Sequence, residues 1–341
     1  MTTQYPLRRY LPVLVLLLLA PWIAEVLFGA TPASNIGGLL VVGPLYGCGA
    51  LLVRELARRQ GTGWGRIALL GAAYGIIEEG LAIGSLSNAN LFNSGLLGGR
   101  LWGINWVWSE WTIGYHIVWS MTIPILLTEL LFPARRREPW LERGGLIVVG
   151  VIYLLAATAL GAIFRFAVTS DYRAPSSVIV GEVLIVAVLV TLALRWPPRR
   201  PAALMAGTAP KPWLVGLVAL VLAVAWFALL DLPHLLRVGA LVLLPMGLDL
   251  LLAGGVATLL RRWSAAGSLW RDRHRLALIL GALPVSIAWG FLFVTAGNRI
   301  DQLFLGGAGL ITLLLLVFFA WRLGHRDPAA HYPDYDQAPV A

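Results

Sequence analysis

Long apolar runs constrain this chain of 341 residues more than any other feature. A helix needs about 20 mostly apolar residues to cross the hydrocarbon core of a bilayer. Ten runs of about that length follow one another along the sequence, so we predict an all-α, polytopic transmembrane helix bundle. The predicted spans are Tyr10–Gly29, Asn35–Val53, Ile67–Leu86, Trp111–Phe132, Gly145–Phe166, Ser177–Leu194, Trp213–Leu230, Leu236–Leu260, Leu276–Thr295 and Gln302–Trp321.

The composition excludes an ordinary soluble protein. Hydrophobic residues make up 59% of the chain, and the mean hydropathy is +0.79. Only 13% of the residues are charged, which is about half the usual share for a soluble domain. A soluble protein cannot bury so much apolar surface. We therefore expect an integral membrane protein whose main partner is the lipid bilayer.

The basic residues predict the orientation. With the N-terminus inside, 21 of the 26 Lys and Arg residues fall on the inner side, as the positive-inside rule requires. Ten spans then place both termini inside. The first run, which follows Arg8 and Arg9, has an alternative interpretation as a signal peptide, but this charge alternation requires the run to be retained.

The net charge of +9 is distributed in short bursts between apolar runs. Such bursts suit loops that face anionic lipid, and without a basic domain we expect no nucleic-acid partner. The high ratio of Arg to Lys is typical of a GC-rich bacterial genome. We therefore expect a multi-pass protein of the bacterial inner membrane. The sequence does not indicate its oligomeric state.

Proline and basic residues divide the chain. Residues 195–212, RWPPRRPAALMAGTAPKP, predict a stiff cytoplasmic linker. It separates a six-span region, residues 1–194, from a four-span region, residues 213–322. Residues 323–341 are polar and predict a disordered tail.

Two adjacent glutamates, Glu78 and Glu79, interrupt the third run within YGIIEEGLAIGS. At 1.5 Å per residue, Glu78 lies about 18 Å from Arg66 and about 13 Å from Ser87, in the outer half of the hydrocarbon core. A charge there is costly, so both side chains are expected to face protein or a wet cavity. Glycines 71, 75, 80 and 84 make this helix thin on two sides and favour close packing.

The fourth run supplies the expected partner. His116 lies at about the same depth as the glutamates, counted from the outer ends of both helices. Thr112 and Ser120 extend it into a polar stripe at i, i+4 and i+8. On the glutamate helix, Tyr74 shares a face with Glu78. The predicted catalytic residues are Glu78, Glu79 and His116, and the predicted substrate-binding residues include Tyr74, Thr112 and Ser120.

Other buried carboxylates give weaker signals. Asp249 lies mid-span beside Pro245 and Gly247, where a broken helix can form a polar pocket. We add Asp249 to the substrate-binding residues. Glu25 and Glu129 lie near the ends of their spans, where we expect interfacial positions.

A metal site is not expected. The five histidines form no metal-type cluster with one another or with Cys48. We therefore predict neither a metal ion nor another cofactor.

At these residues the chain resembles the CPBP family of CAAX-protease and bacteriocin-processing membrane proteins. The sequence pattern of that family begins with EExxxR inside a membrane helix, and FxxxH and a second histidine motif follow on later helices. Glu78 and Glu79 match the glutamate pair and His116 matches one histidine, while Ile83 stands at the arginine position and Thr112 at the aromatic one. The resemblance implies that one glutamate activates water and that His116 stabilises the oxyanion.

LYGCGALLVRELARR, ahead of YGIIEEGL, also resembles uncharacterised multi-pass bacterial proteins. That resemblance implies no activity.

The residues leave three functions open. A membrane-embedded hydrolase acting on a hydrophobic or membrane-protein substrate would use the carboxylates and the imidazole for proton transfer. A proton-coupled transporter would use the same groups, with Asp249, to carry protons or substrate. A scaffold or assembly factor would use them to lock helices together.

Overall fold

The computed structural model describes residues 6–61, 63–195, 209–236, 243–266 and 269–325. Eleven α-helices form most of this part of the chain. They are α1 Pro6–Pro21, α2 Leu39–Arg59, α3 Trp64–Gly75, α4 Trp106–Tyr115, α5 Ile123–Leu131, α6 Arg143–Ile163, α7 Ser176–Arg195, α8 Pro212–Leu236, α9 Leu243–Ser264, α10 Asp272–Trp289 and α11 Arg299–His325. The two strands, β1 Arg100–Leu101 and β2 Ile104–Asn105, form a short antiparallel hairpin.

Short segments of other helical types extend several of these helices. Three 3-10 segments are Ala33–Gly38, Leu91–Leu97 and Pro133–Arg135. Five π-helical segments are Trp22–Val26, Ile76–Ile83, His116–Thr122, Phe164–Val168 and Gly290–Val294. The segment at 116–122 joins α4 to α5, so these three elements make one continuous span.

The all-α membrane fold is confirmed. Nine helices in the described residues are long and apolar enough to cross a bilayer. The remaining predicted span, Ile67–Leu86, corresponds to α3 with its π extension, Trp64–Ile83. Every 18-residue stretch of this helix contains three charged residues, Arg66, Glu78 and Glu79, whereas each of the nine has such a stretch with at most two. Its crossing of the membrane and the orientation of the termini stay predictions.

Two large hydrophobic clusters form most of the core of the described residues, and a small third one joins Val215, Trp270 and Ala277. The first joins α1, α2, α3, α5, α6 and α7. The second joins the π extension of α1 with α4, α5, α8, α10 and α11. Because the first and fourth spans contribute to both clusters, the six-span and four-span regions pack together.

Most of the predicted linker and most of the predicted tail cannot be compared with the structure. Residues 196–208 of the predicted linker and residues 326–341 of the predicted tail lie outside the described residues. The last helix continues to His325, three residues into the segment predicted as tail.

Buried ion pairs tie α2 to α5 at the predicted inner end of the bundle. Glu129 accepts hydrogen bonds from the Arg58 Nε and Nη2 atoms, both at 2.7 Å. Glu55 accepts a hydrogen bond from Arg54 Nη1, also at 2.7 Å. Arg54 is fully buried and stacks on the Trp140 ring at 3.4 Å. Glu129 is 4% exposed, so arginine side chains rather than solvent surround its carboxylate, and its position at the membrane interface stays a prediction.

Candidate functional site

Three π-helical segments carry the ionisable side chains of the candidate site. Glu25 lies in Trp22–Val26, the two glutamates lie in Ile76–Ile83, and His116 begins the segment His116–Thr122. A π segment shifts the direction of the side chains that follow it, and such segments often occur at functional sites. Here they direct groups from three helices toward one another.

Glycines allow the glutamate helix to approach its neighbours closely. A Cβ atom at Gly75 would lie 3.2 Å from the His116 Cβ, and one at Gly71 would lie 3.2 Å from the Ile117 Cα. On another side of the helix, a Cβ at Gly80 would lie 2.7 Å from the Glu182 carboxyl carbon. The predicted close packing on two sides is confirmed.

His116 contacts both glutamates. Its Nε2 lies 3.3 Å from Glu79 Oε1, and its Nδ1 lies 3.6 Å from Glu78 Oε2. Nδ1 also hydrogen-bonds to Ser120 Oγ at 3.0 Å. His116 and the two glutamates, which the residue count placed at the same depth, therefore lie in contact. His116 and Glu78 are each only 2% exposed.

A turn beyond the glutamates holds the Glu79 carboxyl. Gly84 ends the π segment with a φ of +79°, a conformation that favours glycine. The turn lets Ser85 N donate to the Glu79 carbonyl at 2.7 Å, and the Ser85 hydroxyl donates to Glu79 Oε2. Trp108 Nε1 donates to the same hydroxyl at 3.0 Å. Ser85 therefore holds the Glu79 oxygen atom that His116 does not contact.

A third carboxyl group, from Glu25, extends the cluster. The Thr31 hydroxyl donates to Glu25 Oε2 at 2.6 Å. The Tyr46 hydroxyl interacts with both the Glu25 and the Glu78 carboxyl groups. Glu25 is 8% exposed, so it is buried within the protein, and its position at the membrane interface stays a prediction.

Aromatic rings enclose the imidazole. The Tyr74, Tyr46 and Tyr115 rings have centroids 5.7, 6.1 and 5.9 Å from that of His116. The Tyr74 hydroxyl interacts with the Glu78 carboxyl group. The imidazole therefore lies between carboxyl groups and aromatic rings.

Two predicted site residues lie apart from this cluster. Thr112 is buried on α4, and no hydrogen bond in the described residues joins its side chain to the cluster. Asp249, 4% exposed on α9, interacts electrostatically with Glu110. The separation of Asp249 follows from packing, because α9 contacts α8 and α4.

Three members of the cluster were missed from the sequence. Glu25 lies within an apolar run close to its outer end, so the depth count used for His116 would have found it. Tyr46 and Ser85 give no such signal, because one is an aromatic residue in an apolar helix and the other a serine at a turn. Their roles depend on contacts between helices.

The cluster is suited to proton transfer in a low-dielectric environment. It contains acceptors and donors of protons within 2.6–3.6 Å of one another. No set of three or more His, Cys, Asp or Glu residues in the described ranges is arranged to hold a metal ion.

Comparison with known proteins identifies the family of this chain, but the description of that family names no activity. Residues 14–320 match the model of a family described as an uncharacterized membrane protein family. The chain belongs to this family. No curated protein matches the chain, and no solved structure matches it. The matching family is not described as CPBP, so that resemblance rests on the glutamate pair and His116 alone.

Proposed function

We propose that this multi-pass protein is a membrane-embedded hydrolase of the bacterial inner membrane, with Glu78, Glu79 and His116 as its catalytic residues. The observation that carries the proposal is the pairing of each His116 ring nitrogen with a separate buried carboxyl group, at 3.3 and 3.6 Å. Catalytic hydrogen bonds are often this long in proteins without bound substrate and shorten when the substrate binds. The CPBP resemblance supports the same roles.

Glu79 is the better candidate for the base that activates water. Its side chain is 11% exposed, against 3% for Glu78, so it is the more accessible of the two carboxyl groups. Ser85 and His116 hold its two oxygen atoms in position.

The reaction follows from these positions. Glu79 takes a proton from water, and the hydroxide oxygen bonds to the substrate carbonyl carbon. His116 Nε2 exchanges its contact with Glu79 Oε1 for a hydrogen bond that it donates to the resulting oxyanion. The carbon–nitrogen or carbon–oxygen bond then breaks, and the proton on Glu79 passes to the leaving group. Since the site lies among membrane helices, the substrate is expected to be hydrophobic or a membrane protein.

A scaffold fits the cluster less well. A structural role predicts that buried polar groups are paired. Both carboxyl oxygens of Glu182, which lies against Gly80 of the glutamate helix, have no hydrogen-bond partner among the described residues. Leaving such groups unpaired costs stability, which favours a functional reason for keeping them.

Proton-coupled transport is the second candidate. It is favoured by the continuous series of interacting groups from Thr31 through Glu25, Tyr46 and Glu78 to His116. Such a series can pass protons through a membrane protein. A transporter would use it to couple proton movement to the movement of a substrate.

The test is hydrolysis in ¹⁸O-labelled water. Purified protein in lipid nanodiscs is incubated with membranes of the expression host, and mass spectrometry detects ¹⁸O in newly formed carboxyl groups. We expect Glu79→Gln to lower product formation at least 100-fold, since a general base contributes about 10²–10⁴. Glu138→Gln is the matched control, because its side chain is 51% exposed and outside the cluster.

Labelled product that is equal for wild type and Glu79→Gln would overturn the hydrolase. Proteoliposomes with a trapped pH-sensitive dye then test the second candidate. Proton flux that requires Glu78 and is retained in Glu138→Gln would support transport.

A further inference from the structure

A basic pocket lies far from the carboxylate cluster, at the predicted inner end of the bundle. Four arginines line it together with Glu129 and Trp64. The arginines are Arg58, Arg136, Arg137 and Arg275. They come from the end of α2, the segment after α5 and the first turn of α10. Three separate inner segments therefore converge on one cavity.

The described carboxylates only partly neutralise this pocket. Arg58 pairs with Glu129. Arg136 Nη1 and Arg275 Nη1 share a single oxygen, Asp272 Oδ1, at 2.8 and 2.6 Å. Four guanidinium groups and two carboxylates leave two positive charges in excess among the described residues.

Arg137 supplies one of the excess charges. Its side chain is exposed and makes no ion pair or hydrogen bond within the described part of the chain. A guanidinium group carries five N–H donors in a planar fork that matches the oxygen atoms of a phosphate. Arg137 therefore has its donors available at the edge of the pocket.

The cavity is large enough for an anion. Its volume is about 180 Å³, more than ten times the ~15 Å³ that admits one water molecule. It is half open rather than sealed. Basic pockets between helices at a cytoplasmic membrane surface suit the head groups of anionic lipids.

We propose that this pocket binds a phosphate-bearing anion, either the head group of an anionic phospholipid or a soluble phosphate. Arg137 and Arg275 hold the phosphate oxygens, and Arg58, fixed by Glu129, adds positive charge at the pocket wall. The site is independent of the proposed hydrolase.

The experiment has two arms, one for each source. In the first, native mass spectrometry measures phosphatidylglycerol retained by the full chain after purification from mixed phosphatidylglycerol and phosphatidylcholine vesicles. In the second, inorganic phosphate is titrated onto the protein in phosphatidylcholine nanodiscs, and thermal unfolding reports binding. The variants are Arg137→Gln and Arg275→Gln. Arg143→Gln is the matched control, an exposed arginine predicted on the same side but outside the pocket.

We expect each pocket variant to weaken binding about tenfold, as the loss of a charged hydrogen-bond partner implies, and Arg143→Gln to bind like wild type. Retention of phosphatidylglycerol without a response to phosphate identifies lipid as the ligand. A thermal response to phosphate without retention of phosphatidylglycerol identifies a soluble phosphate. Absence of binding in both arms, or an equal loss in Arg143→Gln, overturns the proposal.

Discussion

At the scale of single residues, the two ends of the bundle treat buried charge differently. At the end predicted to be inner, Arg54 and Arg58 each have a carboxylate 2.7 Å away. In the carboxylate cluster, one imidazole contacts both Glu78 and Glu79, while Glu25 is held by hydroxyl groups. Close pairing suits a group that stabilises the fold, and incomplete pairing suits a group that exchanges protons.

The inner pairs predict a large loss of stability in Glu129→Gln. The change removes the carboxylate that faces Arg58 and Arg54 and leaves buried positive charge uncompensated. Removing one partner of a buried pair costs about 3–5 kcal/mol. Chemical unfolding in detergent micelles measures the free energy of unfolding.

Glu142→Gln is the control for this prediction, because Glu142 pairs with Arg9 while its side chain is 74% exposed. Exposed pairs contribute about 0–1 kcal/mol. Equal losses in the two variants would contradict a special role for the buried pairs.

At the scale of elements, close contacts between helices position the site. Gly71 and Gly75 admit the segment that begins with His116, and the π segments redirect the side chains on both sides of this contact. A comparable close approach occurs between α8 and α10. A Cβ at Gly281 would overlap the Gly216 carbonyl oxygen and lie 2.8 Å from the Ala219 Cβ.

We therefore expect Gly281→Ala to destabilise the protein. The added methyl group meets backbone, which cannot move aside as a flexible side chain can, and overpacking costs about 1–3 kcal/mol. The midpoint of thermal unfolding should fall.

The matched control is Gly254→Ala on α9, where a Cβ would meet nothing within 4 Å. Alanine favours a helix over glycine by about 1 kcal/mol, so this variant should be unchanged or slightly more stable. A fall equal to that of Gly281→Ala would contradict the close approach of α8 and α10.

At the scale of the whole molecule, the first and fourth spans connect the two hydrophobic clusters. The carboxylate cluster involves these spans and the glutamate helix, so its position depends on the packing of the complete bundle. The topology depends in turn on whether Trp64–Ile83 crosses the membrane.

Cysteine labelling tests that crossing. In a Cys48→Ala background, Gln60→Cys and Asn90→Cys place exposed thiols on either side of this helix. We expect a membrane-impermeant maleimide to label Asn90→Cys in intact spheroplasts and Gln60→Cys only after lysis. Labelling of both from the same side would contradict a crossing.

Two reference positions check the orientation in the same experiment. Ser170→Cys should be labelled from outside, and Glu138→Cys only from inside. Both positions are exposed.

The sequence by itself determined the fold class and part of the site. Apolar runs of membrane length must form helices with internally paired backbones, whatever their neighbours, so the spans could be read from hydropathy. Counting depth brought His116 to Glu78 and Glu79, because the rise per residue is fixed along a helix. Only the tertiary structure decided that Glu25, Tyr46 and Ser85 join them, that Asp249 does not, and that the arginines gather in one pocket. Those outcomes depend on the rotation of each helix and on its neighbours, which are set by π segments and glycine contacts that hydropathy does not encode.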